Sequence, residues 1–414
     1  MTDRRGAAAA TTEDVARASY GRLIAYLAAR TGDVAAAEDA LGDAFRSALE
    51  TWPASGVPDR PEAWLLTTAR NRLIDRHRRD RTAHDHQDQI INAAAEVAES
   101  RGGKDALPDE RLKLLFICAH PAIDPGARTP LMLQTVLGLD ARRIASAFLT
   151  SPSAMSQRLV RAKTKIRKAA IPFEMPPAPE LSTRMQAVLE AIYAAFGTGW
   201  DDSFAGGEQG ELTAEAIWLA TVLTHLAPDQ SEAWGLLSLM LFAQARRAAR
   251  RDAEGRFVPL DRQDPGLWSA SMIRDGEAAL ERAAAGGQAG PFQIEAAIQA
   301  LHVRRVRDRQ ENWFLITALY DSLIALSPTL GARVSRTSAL VNAGDAGGAL
   351  EALDQLAAEP VDLKAYQPYW AVRAHALARL GRLEEARTAF LRAAGLTQDG
   401  AVRHFLVGLA DELY

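Results

Sequence analysis

Ser151-Pro-Ser-Ala-Met-Ser-Gln-Arg-Leu-Val-Arg-Ala-Lys-Thr-Lys-Ile-Arg-Lys168 is the stretch that decides how this chain reads. Met155, Leu159 and Ala162 fall on one helical face, Ser151 suits an N-cap and Pro152 the first helical position. Upstream, Ile144, Ala145 and Phe148 have the spacing of a short supporting helix, and Thr150-Ser151-Pro152 makes a turn. The layout is a helix-turn-helix. Ser153, Ser156, Gln157, Arg158 and Arg161 stand near the start of the second helix, where such a helix reaches base edges, and Lys163 and Lys165 follow toward phosphate. No acidic residue occurs from Arg142 to Ile171. A helix of that balance is drawn to a polyanion.

A second basic stretch, Trp64 to Arg79, lies far upstream in a chain of 414 residues with a formal net charge of −4. The average hides a split: residues 1–179 hold 26 Lys and Arg against 22 Asp and Glu, and residues 180–414 hold 22 against 30. Halves of opposite sign suggest two jobs. An Ala- and Leu-rich composition with few β-branched runs points to an all-α fold. The single cysteine, Cys118, excludes an internal disulfide and fits a reducing compartment. The N-terminus has no apolar run long enough for a signal peptide or membrane span, so a cytoplasmic protein without membrane partners is expected.

Apolar residues at helical spacing from Ser19 to Leu49, broken at Thr31-Gly32-Asp33, read as a helix pair with Asp33 capping the second helix. The basic helix follows the Pro53–Pro61 turn. Residues 82–106, rich in His, Gln, Ala and Gly, read as a flexible linker. The expected domains are 13–81, 107–172 and, after the Pro176–Pro179 run, 180–414.

Ala37-Glu-Asp-Ala-Leu-Gly-Asp-Ala-Phe45, Trp52, Pro61-Glu-Ala-Trp-Leu65, Ala69-Arg-Asn-Arg-Leu-Ile-Asp75 and Arg78-Arg79 resemble sigma region 2 of bacterial extracytoplasmic-function (ECF) sigma factors. Leu112 to Ala170, ending in Arg158-Leu-Val-Arg-Ala-Lys163, resembles region 4 of the same family. The resemblance implies core RNA polymerase, at its clamp and flap regions, and promoter DNA as partners. Glu38, Asp39, Asp43 and Phe45 would dock on the clamp helices. Asn71, Arg72, Arg76, Arg78 and Arg79 would hold the melted minus-ten element, where donors to phosphates and base edges are needed. Ser153, Ser156, Gln157, Arg158, Arg161, Lys163 and Lys165 would enter the major groove of the minus-thirty-five element. Asp75 is expected to hold arginines and Trp64 to pack in the core.

Tyr369 to Ala394 fits a tetratricopeptide (TPR) repeat, with Trp370, Ala374, Leu377, Gly381, Ala386, Phe390 and Ala393 at its packing positions. Gly344, Ala349 and Leu353 mark a weaker copy. With Arg246-Arg247, Asp261-Arg-Gln-Asp264, Trp268 and Gly290-Pro-Phe-Gln293, the segment resembles the sigma-factor subgroup that carries a C-terminal TPR domain. A TPR-like α-solenoid presenting a surface to an unidentified protein or ligand is the expectation. One further expectation is that this acidic domain masks the basic region 4 helix.

Cys118-Ala-His120 lacks the further ligands or partners of a metal site or nucleophile pair, and no phosphate-binding glycine loop or zinc-protease motif is present. No enzyme activity and no cofactor are expected. The reading from another class is a TPR scaffold or ligand-sensing helix-turn-helix repressor that acts without polymerase. It would have no need of the Glu38–Phe45 or Asn71–Arg79 helices.

Overall fold

The structure, a computed structural model, describes residues 12, 19–80, 110–136, 138–148, 150–202 and 210–413 except 288, 361 and 362. The expected linker and the first eleven residues lie outside that set. The fold is all-helical, and among the described residues the one β pairing is an isolated bridge between Arg251 and Phe257. The chain divides into two compact units, Met1–Leu219 and Ala220–Tyr414.

In the first unit, α1 (19–31) buries Leu23, Ile24 and Leu27. Asp33 then caps α2 (Val34–Ser55), its carboxylate accepting from Ala35 N and Ala36 N at 3.0 and 3.1 Å. Alanines recur on the inner face of α2 (Ala37, Ala40, Ala44, Ala48), which lets α3 (Pro61–Asp80) lie close against it. Trp52 is buried, and half-buried Trp64 meets it edge-on at 5.4 Å. Arg22 of α1 forks onto Glu62 of α3 at 2.6 and 2.7 Å.

Four shorter helices follow: α4 (Arg111–Cys118), α5 (Pro125–Thr135), α6 (Ala141–Ala147) and α7 (Pro152–Lys168). The chain after α5 packs on α1, and α7 packs on α2. A Cβ at Gly21 of α1 would lie 1.7 Å from the carbonyl oxygen of Val136, beyond the end of α5, so only glycine fits there. The α2 helix touches α7. After the proline run, α8 (Ala178–Asp202) lies on α5 and α4, and its buried Arg184 donates to Phe116 O at 3.3 Å. The contacts of the chain therefore divide well beyond Pro179. Following α8, α9 (Gly210–Leu226) runs across the division.

The second unit continues with α10 (Ser231–Ala245), α11 (Ala270–Ala284), α12 (Pro291–Asp308), α13 (Trp313–Leu326), α14 (Leu330–Asn342), α15 (Ala346–Ala358), α16 (Gln367–Arg379), α17 (Leu383–Leu396) and α18 (Gly400–Asp411). From α12 onward each helix packs on the next, and α14 also touches α16. Gly344 and Gly381, both at positive φ, turn the chain between α14 and α15 and between α16 and α17. Ala374, Leu377, Ala386, Phe390 and Ala393 form one buried cluster with half-buried Trp370 against it. Between α10 and α11 the chain runs through short 3-10 turns that reach the last helix, with Arg251 pairing Asp399 and the Phe257 ring 5.4 Å from that of Phe405.

Candidate nucleic-acid interface

Asp140 starts α6 by accepting from Arg142 N and Arg143 N at 2.8 and 2.9 Å. Ser151, in an extended conformation, starts α7 by accepting from Ala154 N at 3.2 Å, with Pro152 in the first turn. Both helix starts lie side by side. Met155, Leu159, Ala162 and Ile166 are buried, which turns Ser153, Ser156, Gln157, Arg161 and Lys165 to solvent. An open groove of about 490 Å³, lined by Asp140, Ala141, Arg142, Pro152, Ser153 and Ser156, runs between the two starts. Arg158 is half-buried, its guanidinium donating to Gly126 O at 3.3 Å.

Lys163 is engaged differently. Its Nζ donates to Glu38 Oε2 at 2.5 Å and to Gln134 Oε1 at 3.0 Å, with 13% of its side chain exposed. Glu38 is 14% exposed, and burial raises its pKa against the opposing pull of Lys163. Burial and the Glu38 charge also push the Tyr20 hydroxyl up. Arg167 adds a second tie to Asp33 at 3.5 Å. The residue expected at polymerase and the residue expected at DNA thus hold each other in this state. Pairing across 125 residues leaves no local signal in sequence.

The other residues of α2 and α3 meet in a cleft. Asp39, Asp43, Arg72 and Asp75, with Ala36, Ala40 and Leu73, line a space of about 250 Å³. Asp43 pairs with Arg46 at 2.9 Å, Phe45 is half-buried, and Asn71 and Arg72 are exposed. Arg76, Arg78 and Arg79 belong to helical α3, and their side chains lie outside the described residues. Cys118 is buried beside Thr135, and burial pushes its thiol up to about 12, which keeps it protonated. Among the described residues no group of three His, Cys, Asp or Glu is placed to hold a metal, and no helix is long and apolar enough to cross a membrane.

Residues 15–82, spanning the cleft and its supporting helices, match the model of sigma-70 region 2. The chain thus carries a sigma-70 region 2 domain, which supports the sigma-factor class. Residues 184–284 match a family of unknown function (DUF6596). An uncharacterized protein of Rhizobium meliloti (strain 1021) is 37% identical over 403 residues, 95% of this chain and 93% of that one. The chain belongs to the same family as that Rhizobium protein. A probable ECF RNA polymerase sigma factor of Mycobacterium tuberculosis, SigI, is 22% identical over 235 residues, 55% of this chain and 79% of that one. No solved structure matches.

Proposed function

We propose that this protein is an alternative sigma factor that binds core RNA polymerase and directs initiation at a two-part promoter. The observation that carries the reading is the sigma-70 region 2 match over α1–α3, followed in the same unit by two capped helices whose outward face is basic, with no acidic residue from Arg142 to Ile171. Asp39, Asp43 and Phe45 of α2, with Glu38 once released, serve the polymerase clamp. Asn71, Arg72, Arg76, Arg78 and Arg79 of α3 serve melted minus-ten DNA. The α6–α7 helix-turn-helix reads the minus-thirty-five element, Gln157, Arg158 and Arg161 at the bases and Lys163 and Lys165 at phosphate. Catalysis stays with the polymerase, in the cytoplasm.

The Glu38–Lys163 and Asp33–Arg167 pairs support a closed resting state. Glu38 and Lys163 belong to two surfaces that a promoter complex uses separately. Core polymerase would open the clasp by taking α2. The helical pairs of residues 220–414, read as TPR-like, form the regulatory part.

Reconstituted transcription from genomic fragments tests this reading. Intact chain with core polymerase should give promoter-specific transcripts, and neither alone should. A variant ending at Leu226, the end of α9, then reports the sign of regulation. It keeps α8, whereas a cut after Pro179 would strip Arg184 from Phe116 and disturb the first unit itself. Duplex binding without core binding or transcripts would establish the repressor reading instead.

A further inference from the structure

Arg246 ends α10 in an unusual electrostatic position. Its Nε donates to Phe242 O of its own helix at 3.0 Å, and a terminal nitrogen donates to Gln299 Oε1 of α12 at 2.5 Å. The side chain is half-buried. Burial and neighbouring Arg250 pull its pKa down to about 10, and among the described residues no carboxylate forms an ion pair with it. One turn beyond Gln299, the His302 ring stands edge-on to Trp313 at 5.7 Å, and its Nδ1 is buried without a partner. Burial, Arg246 and Arg305 hold that imidazole neutral, with its pKa pushed down to about 3. A turn further, Arg305 lies over the Trp313 ring at 4.4 Å, and its Nε is also buried and unpartnered. Asp261 and Glu311 act on Arg305.

Hydrophobic residues make this arrangement rigid. Phe242, Ala245, Trp268, Ala300 and Val303 pack beneath it as one core cluster. Arg246, held to α12 through Gln299, therefore stands beside His302 and Arg305, which follow one and two turns along that helix and both lie against Trp313. A half-buried guanidinium without a counter-charge is unfavourable unless an anion supplies one. Guanidinium groups bind tetrahedral oxyanions through paired N–H donors. Residues 180–414 carry a net −8, which repels a long polyanion while a small ion can still reach a local cationic site.

We propose that Arg246 and His302, flanked by Gln299 and Arg305, bind phosphate, either free or as a small phosphate monoester. This effector site stands independently of the polymerase reading. The test uses the full chain in a phosphate-free chloride buffer, by titration calorimetry and thermal melting. The probes are inorganic phosphate, glycerol 3-phosphate and extra chloride at matched ionic strength.

Saturable heat and a raised Tm with either phosphate probe, but not with chloride, are expected. A response to inorganic phosphate identifies the free ion as sufficient, and a response confined to glycerol 3-phosphate identifies a monoester. Arg246→Gln should abolish the response while melting no lower than wild type without phosphate, because an uncompensated charge has been removed. A purely structural arginine would instead melt lower on substitution. His302→Ala should weaken binding about tenfold, the loss of one hydrogen bond to a charged ligand, and it decides the matter if the first variant does not fold. No saturable heat with either probe, or full binding by both variants, would overturn the site.

Discussion

Glu295 shows how a single side chain sets a pH dependence. It lies on α12 near Glu232, whose carboxylate caps that helix by accepting from Phe292 N at 2.9 Å and Gln293 N at 3.0 Å. Burial and then the Glu232 charge raise the Glu295 pKa to about 7, and Glu295 in turn helps to raise that of Tyr320. The folded state holds this proton more tightly than the unfolded chain, so stability falls as pH rises from the ordinary glutamate range through about 7. Glu295→Gln removes the penalty. The variant should melt above wild type at pH 8, by on the order of 3 °C, and the gain should vanish near pH 4. Thermal melts across that range check the sign, and a variant that melts lower at pH 8 would refute it.

Individual helices depend on their starts and on close approach. Ser151 supplies the one side-chain cap on α7, and the outward helix face depends on a well-formed first turn. Ser151→Ala should cost about 1 kcal/mol, read from urea denaturation. On the proposed sigma-factor reading, promoter affinity in holoenzyme should fall with it, while core binding is unchanged. Gly21 sets how α1 meets the α5–α6 turn, since a Cβ there collides with backbone rather than with a side chain that could swing aside. Gly21→Ala should cost more than about 2 kcal/mol. An alanine variant of wild-type stability would mean that α1 does not approach Val136 so closely in solution.

For the whole molecule the decisive feature is the clasp between α2 and α7. Opposite charges that are each less than one-sixth exposed interact strongly, and losing one partner leaves the other uncompensated. Glu38→Lys should therefore separate α7 from α2. Fluorescent labels at Ser55→Cys and Ala154→Cys, both exposed positions, would report a longer distance, with buried Cys118 left unlabelled. The paired exchange Glu38→Lys with Lys163→Glu should restore much of the shorter distance, since the attraction is the same with its ends reversed. An unchanged distance in the single variant would show that packing around Gly21 alone keeps the unit closed.

The amino-acid sequence by itself determined the all-helical class and the helices around Asp33, Ser151 and Gly381. Helix starts at Asp33 and Ser151 are written in cap chemistry that acts over two or three residues, and buried faces follow from spacing along one helix. The same local logic exposed the basic face of α7 and the small residues packed between α16 and α17. Only the tertiary structure decided which charges face one another. Glu38 meets Lys163 across 125 residues and Arg251 meets Asp399 across 148. Arg246, too, meets Gln299 of the His302 helix only when α10 packs on α12. Composition and periodicity act along the chain, whereas Coulomb attraction and desolvation act through space, so the residues they couple carry no mark of it in their order.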